Sequence, residues 1–268
     1  VTCVVRDRNR FQPGEDLLRQ VEVIEFDFLQ PENALQHFNK KVYDVAYYLI
    51  HSLGDTSTTL KEYELRSVGC FILVSSLCQV RQIVYLGGIS NVPKLSSHLL
   101  ARKVVKDVIV NSGIPYTIFE AGIIVGSGSV SFEIIRDLTE KLPVMVVPRW
   151  LNSKCQPIAI RNVINYLFRC LRDENTYFRT FEIGGPDVLS YKQMLLDFAE
   201  VRGYKRYIIA MPVVFPGLSA YWLYLTTSAN FTIAKQLVES MKNDVICQEN
   251  SIQDIIPQEL ISYKDAIR

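Results

Sequence analysis

Short β-branched runs alternate with helical patterns through the first half of this chain, and that rhythm leaves few folds open. Residues 1–5 (VTCVV), 21–26 (VEVIEF), 44–50 (DVAYYLI), 82–86 (QIVYL) and 116–120 (YTIFE) read as strands. Between them, 13–19, 32–39, 58–80 and 97–112 read as helices, the last ended by Gly113 with Pro115 just beyond. The run DVAYYLI has no polar alternation, the pattern of a strand buried on both faces of a parallel sheet. Parallel neighbours need long crossovers, and right-handed βαβ crossovers in series give a doubly wound α/β sheet.

Beyond residue 122 the pattern loosens. A glycine-punctuated loop over 123–128 precedes a helix at 132–141, strands at 144–147 and 156–160, a helix at 161–172 and a strand at 180–183. Gly184-Gly185-Pro186 closes that strand, and a helix follows over 190–202 between Ser190 and Gly203. The break near 125 divides a Rossmann-like domain, 1–125, from a mixed α/β substrate region, 126–268, lying on the sheet's carboxyl edge.

Composition excludes some partners. Lys and Arg total 29 against 28 Asp and Glu, net +1, so no strong field draws nucleic acid or an anionic membrane. Cysteines at 3, 70, 78, 155, 170 and 247 form no C-x-x-C pair, and the histidines are His37, His51 and His98. Neither a disulfide framework nor a zinc centre fits; the thiols read as free in a reducing cytosol, with a cytoplasmic location expected. The longest apolar stretch, 208–225, is interrupted by Pro212, Pro216, Gly217 and Ser219. It is too broken for a span of about 20 residues, leaving at most membrane-surface contact.

In order over positions 4 to 194 run VVRD, EFD, YYLIHSLG, IVYLGGIS, SGIPYTIFEAGIIVGSGSVSFEIIRDL, QPIAIRNV and FEIGGPDVLSYKQM. Together they resemble the atypical short-chain dehydrogenase/reductases of the NmrA-like, NAD(P)H-binding kind, with a Rossmann fold. The resemblance implies an NADP cofactor, with NAD less favoured, and a small-molecule substrate handled by a monomer or homodimer. It also implies a glycine-rich turn ahead of the first strand, where backbone N–H groups hold the pyrophosphate. That unit is expected in about 20–25 residues upstream of Val1. The glycine string GSGS at 126–129 comes too late in the order of elements to serve.

The same resemblance marks out site residues. Arg6 follows the first strand with no acid at Val4 or Val5. It either selects the 2′-phosphate of NADP or is a solvated loop arginine. Asp27 and Phe28 would flank the adenine, or form a turn carboxylate and a core aromatic. His51 and Ser52 directly follow the apolar run, at the carboxyl edge where ligands bind, unless they only cap the next helix. Gly87 and Gly88 would let nicotinamide or ribose approach the backbone, or make a tight turn. Glu120, Ala121 and Gly122 would lie by the carboxamide, and an acid at that apolar strand end needs a partner or a raised pKa.

For catalysis the resemblance implies Tyr-x-x-x-Lys on the helix after the fourth strand. The sequence there is LSSHLLARK, without tyrosine; His98 and Arg102 hold the four-residue spacing, on one helical face. His98 can act as acid or base near neutral pH. Phe132, Arg161 and Trp222 are candidates for the substrate cleft, Arg161 for an anionic group. Three readings compete: a reductase of a small apolar or carbonyl substrate, a non-catalytic NADP(H) sensor or assembly protein, and a lipid- or quinone-associated protein docking through 208–225.

Overall fold

The computed structural model describes residues 1–50, 57–91, 96–211 and 243–268. Strands β1 (Thr2–Val5) and β2 (Glu22–Glu25) pair in parallel, with Thr2 opposite Glu22 and Val5 opposite Glu25. A second, fully parallel sheet holds β3 (Val45–Tyr48), β4 (Gln82–Gly88), β5 (Tyr116–Ala121) and β10 (Arg179–Ile183), in the order β10-β5-β4-β3. Helix α3 (Ser57–Leu77) links β3 to β4 and α4 (Ser97–Val110) links β4 to β5, the two packed side by side. This is the Rossmann-like α/β architecture that the alternation predicts. Helix α4 begins where Ser96 Oγ accepts the Leu99 N–H (3.3 Å) and stops just before Gly113, whose φ of 76° suits a residue without Cβ.

Residues beyond 125 contribute β10, seated beside β5, and a further layer. Helices α5 (Val130–Lys141) and α7 (Tyr191–Val201) pack together. Three small ladders join them: β6 (Ile124–Val125) with β9 (Ile158–Ala159), β7 (Val144–Pro148) with β12 (Tyr207–Met211), both parallel, and β8 (Lys154–Cys155) antiparallel to β11 (Leu189–Ser190). Helix α6 (Ile160–Arg169) lies against the central sheet, opposite α3 and α4.

The core has three parts. Tyr48, Ile83, Tyr85 and Ile118 face α3 and α4, joined by Ile24, Phe26 and Phe28 from the β2 side. Val84, Phe119 and Phe181 face α6, where Phe119 stacks on Tyr166 and Phe181 at centroid distances of 5.9 and 6.0 Å. A third group, including Ile134, Leu138, Met145, Met194 and Phe198, fills the second half. Each such side chain contributes about 1.5–3 kcal/mol by leaving water. Gln82, fully buried at the start of β4, is satisfied on both amide atoms. It donates to Thr117 Oγ1 and the Cys170 carbonyl (both 2.9 Å) and accepts the Arg172 N–H (2.8 Å).

Several sequence-based expectations change. Residues 44–50 are not buried on both faces: Tyr48 is buried, but Tyr47 is 38% and Leu49 53% exposed. The reason is that β3 ends its sheet, with α3 covering one side while the other is partly open. The strand expected over 156–160 is only Ile158–Ala159, because the chain turns into α6 at Ile160. Helix 161–172 stops at Arg169, ahead of a turn in which Arg172 takes a left-handed φ of 57°. All six cysteines are free; burial pushes the thiols of Cys155 and Cys170 up to about 12. Among the described residues, no helix is long and apolar enough to cross a membrane. Most of 208–225 lies outside the described residues.

Candidate functional site

In open parallel sheets ligands bind outside the carboxyl ends of the strands. At that edge Arg6 leaves β1 exposed. The next residue, Asp7, turns its carboxylate onto the Asn9 N–H (2.9 Å) to start a single helical turn. Past β2, Asp27 is half-buried in an Asx turn, its Oδ1 accepting the Leu29 N–H at 2.9 Å. Phe28 is buried instead, edge-on to Phe26 at 5.1 Å and 6.0 Å from Phe71. It belongs to the aromatic core under α3.

Gly87 and Gly88 both lie within β4. A Cβ at Gly87 would stand 3.0 Å from the Tyr85 ring; one at Gly88 would stand 3.0 Å from Leu99 Cδ2 and 3.5 Å from Arg102 Cδ. The bare backbone of Gly88 thus lets α4 and the Arg102 stem lie close over the strand end. Arg102 is half-buried; desolvation pulls its guanidinium below its ordinary pKa, opposed by Tyr85 and the buried Glu64. His98 lies one turn earlier on α4, its side chain outside the described residues.

The acid at the end of β5 has found its partner. Glu120 is buried, accepting from Lys106 Nζ at 3.0 Å and from Ser90 Oγ at 3.1 Å. On β10, in register with Glu120, sits a second carboxylate, Glu182. Like charges opposite one another destabilise a sheet, and here each has its own donors. Glu182 accepts from Asn91 Nδ2 (2.9 Å) and the Gln248 N–H (2.5 Å). The loop after β4 therefore crosses the ends of β5 and β10, held also by the Ile89 N–H on the Ala121 carbonyl (3.1 Å).

The remaining candidates are scattered. Ala121 is buried and Gly122 half-buried, 3.5 Å separating a Cβ built there from the Gln156 carbonyl. Phe132 packs edge-on against Phe198 at 5.8 Å. Arg161 is exposed in the first turn of α6. His51, Ser52 and Trp222 lie outside the described residues. Sequence reading missed Lys106, although it follows Arg102 by four residues and so extends the His98–Arg102 face by one turn. One backbone donor of the GSGS loop is already taken. Its Gly128 N–H donates to Glu133 of α5 (3.3 Å), and Gly126 packs so tightly on Ile160 that a Cβ there would come within 2.5 Å.

No protein-family profile matches the chain, and no curated protein does. Solved structures do. A nucleoside-diphosphate-sugar epimerase from Staphylococcus aureus aligns at 13% identity over 99% of this chain and 89% of its own, with a TM-score of 0.76. A triphenylmethane reductase from Citrobacter sp., complexed with NADP(H), aligns at 16% identity over 99% and 89%, TM-score 0.75. An NADPH-dependent quinone oxidoreductase from Escherichia coli, complexed with NADPH, aligns at 11% identity over 99% and 88%, TM-score 0.74. At these identities the likeness is one of fold, and it extends across nearly the whole chain.

Proposed function

We propose that this protein is an NADP(H)-binding reductase of the atypical short-chain, NmrA-like type, acting on a small apolar or carbonyl substrate. The observation that carries the cofactor choice is the pair at the end of β1. The Arg6 guanidinium is exposed there, while the neighbouring acid, Asp7, is engaged by its own turn. An arginine in that place suits a 2′-phosphate; a free carboxylate would suit a ribose diol. Two solved structures of like fold, a triphenylmethane reductase and a quinone oxidoreductase, are complexed with NADP(H) and NADPH, which supports the same cofactor reading here.

When bound, the cofactor would supply the hydride; the protein's share is orientation and proton handling. Arg6 and Asp27 would hold the adenosine end, and the backbone of Gly87, Gly88, Ala121 and Gly122 would border the nicotinamide end. His98 would exchange the proton with the substrate, with Arg102 beside it on the same helix. In the GSGS loop the Gly128 N–H already donates to Glu133, which argues against that loop as the pyrophosphate cradle.

Titrated calorimetrically with NADPH and NADH, the protein is expected to prefer NADPH by about tenfold or more, roughly 1.4 kcal/mol. Arg6→Ala should erase that preference and leave NADH binding unchanged. Failure of both nucleotides to bind would sink the proposal. Against a panel of carbonyl substrates, His98→Ala should lower kcat by roughly 10²–10⁴; unchanged turnover removes His98 from the chemistry.

A further inference from the structure

The loops that lead from β1 and β2 to the short helices α1 (Glu15–Leu18) and α2 (Ala34–Phe38) turn on their own side chains. Asp7 accepts from the Asn9 N–H and Asp27 from the Leu29 N–H. The loop from β4 to α4 instead directs its side chains at neighbouring strands. Ser90 Oγ donates to Glu120 Oε1 at 3.1 Å. Asn91 Nδ2 donates to Glu182 Oε1 at 2.9 Å and to the Ile246 carbonyl at 3.3 Å. Glu120 and Glu182 stand in register on β5 and β10, and their second oxygens are taken by Lys106 Nζ and the Gln248 N–H.

These bonds fix the polarity of the loop. A serine hydroxyl has one hydrogen and an amide nitrogen two, while a carboxylate or carbonyl oxygen only accepts. The Ser90 hydrogen is therefore committed to Glu120, and the two Asn91 amide hydrogens to Glu182 and Ile246. Flipping the Asn91 amide would set its oxygen against two others, so the network allows one orientation. What remains on both side chains is lone pairs. Among the described residues nothing donates to Ser90 Oγ or to Asn91 Oδ1. Both residues are half-buried, two and three places past Gly88, next to the backbone assigned above to the nicotinamide end.

We infer that Ser90 and Asn91 form an acceptor-only contact for the substrate, which selects a neutral hydroxyl-bearing molecule. Of an alcohol–ketone couple, the alcohol is the form held more tightly. A hydroxyl can donate to Ser90 Oγ or Asn91 Oδ1. A carbonyl oxygen would meet them acceptor against acceptor and displace their water without replacing its hydrogen bond. An ammonium group finds no open carboxylate, because every oxygen of Glu120 and Glu182 already has a donor. Glu120 is then a positioning residue: it touches no substrate and acts by holding the Ser90 hydrogen away from it. This inference deepens the reductase reading and rests on it for the place of the substrate.

The test is a ligand-observed NMR titration of the protein, without nucleotide, with cyclohexanol, cyclohexanone and cyclohexylamine, which share one apolar frame. Cyclohexanol should bind about tenfold more tightly than either of the others. Ser90→Ala should lower that preference severalfold. Glu120→Gln should invert it: the new Oε1 still takes Lys106, while Nε2 donates to Ser90 Oγ and turns the serine hydrogen outwards. Cyclohexanone then gains affinity as cyclohexanol loses it, whereas a purely structural role for Glu120 would weaken both alike. Equal binding of alcohol and ketone, tighter binding of the amine, or no binding of any of the three overturns the inference. So does an unchanged preference in either folded variant. With no nucleotide present, failure here leaves the NADPH titration to judge the reductase reading, and failure there leaves a measured alcohol preference standing.

Discussion

Lys106→Met is expected to cost about 3 kcal/mol of unfolding free energy, read from the urea midpoint at pH 7. The Glu120 side chain is only 7% exposed and Lys106 24%, with 3.0 Å between their charged atoms. Removing one partner of a buried pair strands the other charge in a poorly solvated place, at about 3–5 kcal/mol when burial is complete. The partial exposure of Lys106 puts the value at the lower end. Ser90 remains as a donor, and Glu182 on the next strand adds repulsion. The double change Lys106→Met with Glu120→Leu should recover most of the loss, because a buried pair is scarcely better than an apolar one of similar volume. A loss below about 1 kcal/mol in the single variant would mean that water reaches the pair as on an open surface.

Gly185→Ala should be as damaging for a steric reason. A Cβ there would lie 2.3 Å from the Pro157 carbonyl oxygen, the same atom that accepts the Gly185 N–H at 2.9 Å. Neither can yield without disturbing the backbone that leads into β9. A cost of about 3 kcal/mol, or a Tm drop of about 6–12 °C in a chain of this size, is expected. Gly14→Ala is the control, since nothing lies within 4 Å of a Cβ at that position. Equal thermal unfolding of the two variants would show that the 184–186 turn relaxes freely.

The parallel α/β class was legible because each parallel neighbour demands a crossover, and the crossovers show as helical period between apolar runs. Burial was less so. DVAYYLI reads as fully buried from its composition, yet Tyr47 and Leu49 are open, since apolarity records what a strand can cover and not what covers it. At the site, Arg6 and Asp27 stand at strand ends as their positions in the sequence suggest. The roles of Phe28 and Gly88 are set by contacts to Phe71, Leu99 and Arg102, which lie far along the chain and leave no local mark. Glu120 announced a need for a partner, and only the approach of α4 to β5 could name Lys106.

The loop after β4 has one more implication. Its successive residues Ser90 and Asn91 each satisfy a different carboxylate, Glu120 and Glu182. To lift it would take one donor from each carboxylate, leaving Glu120 with Lys106 and Glu182 with the Gln248 N–H while the two anions push against each other. The start of this loop is thus pinned to the ends of β5 and β10 through two carboxylates at once.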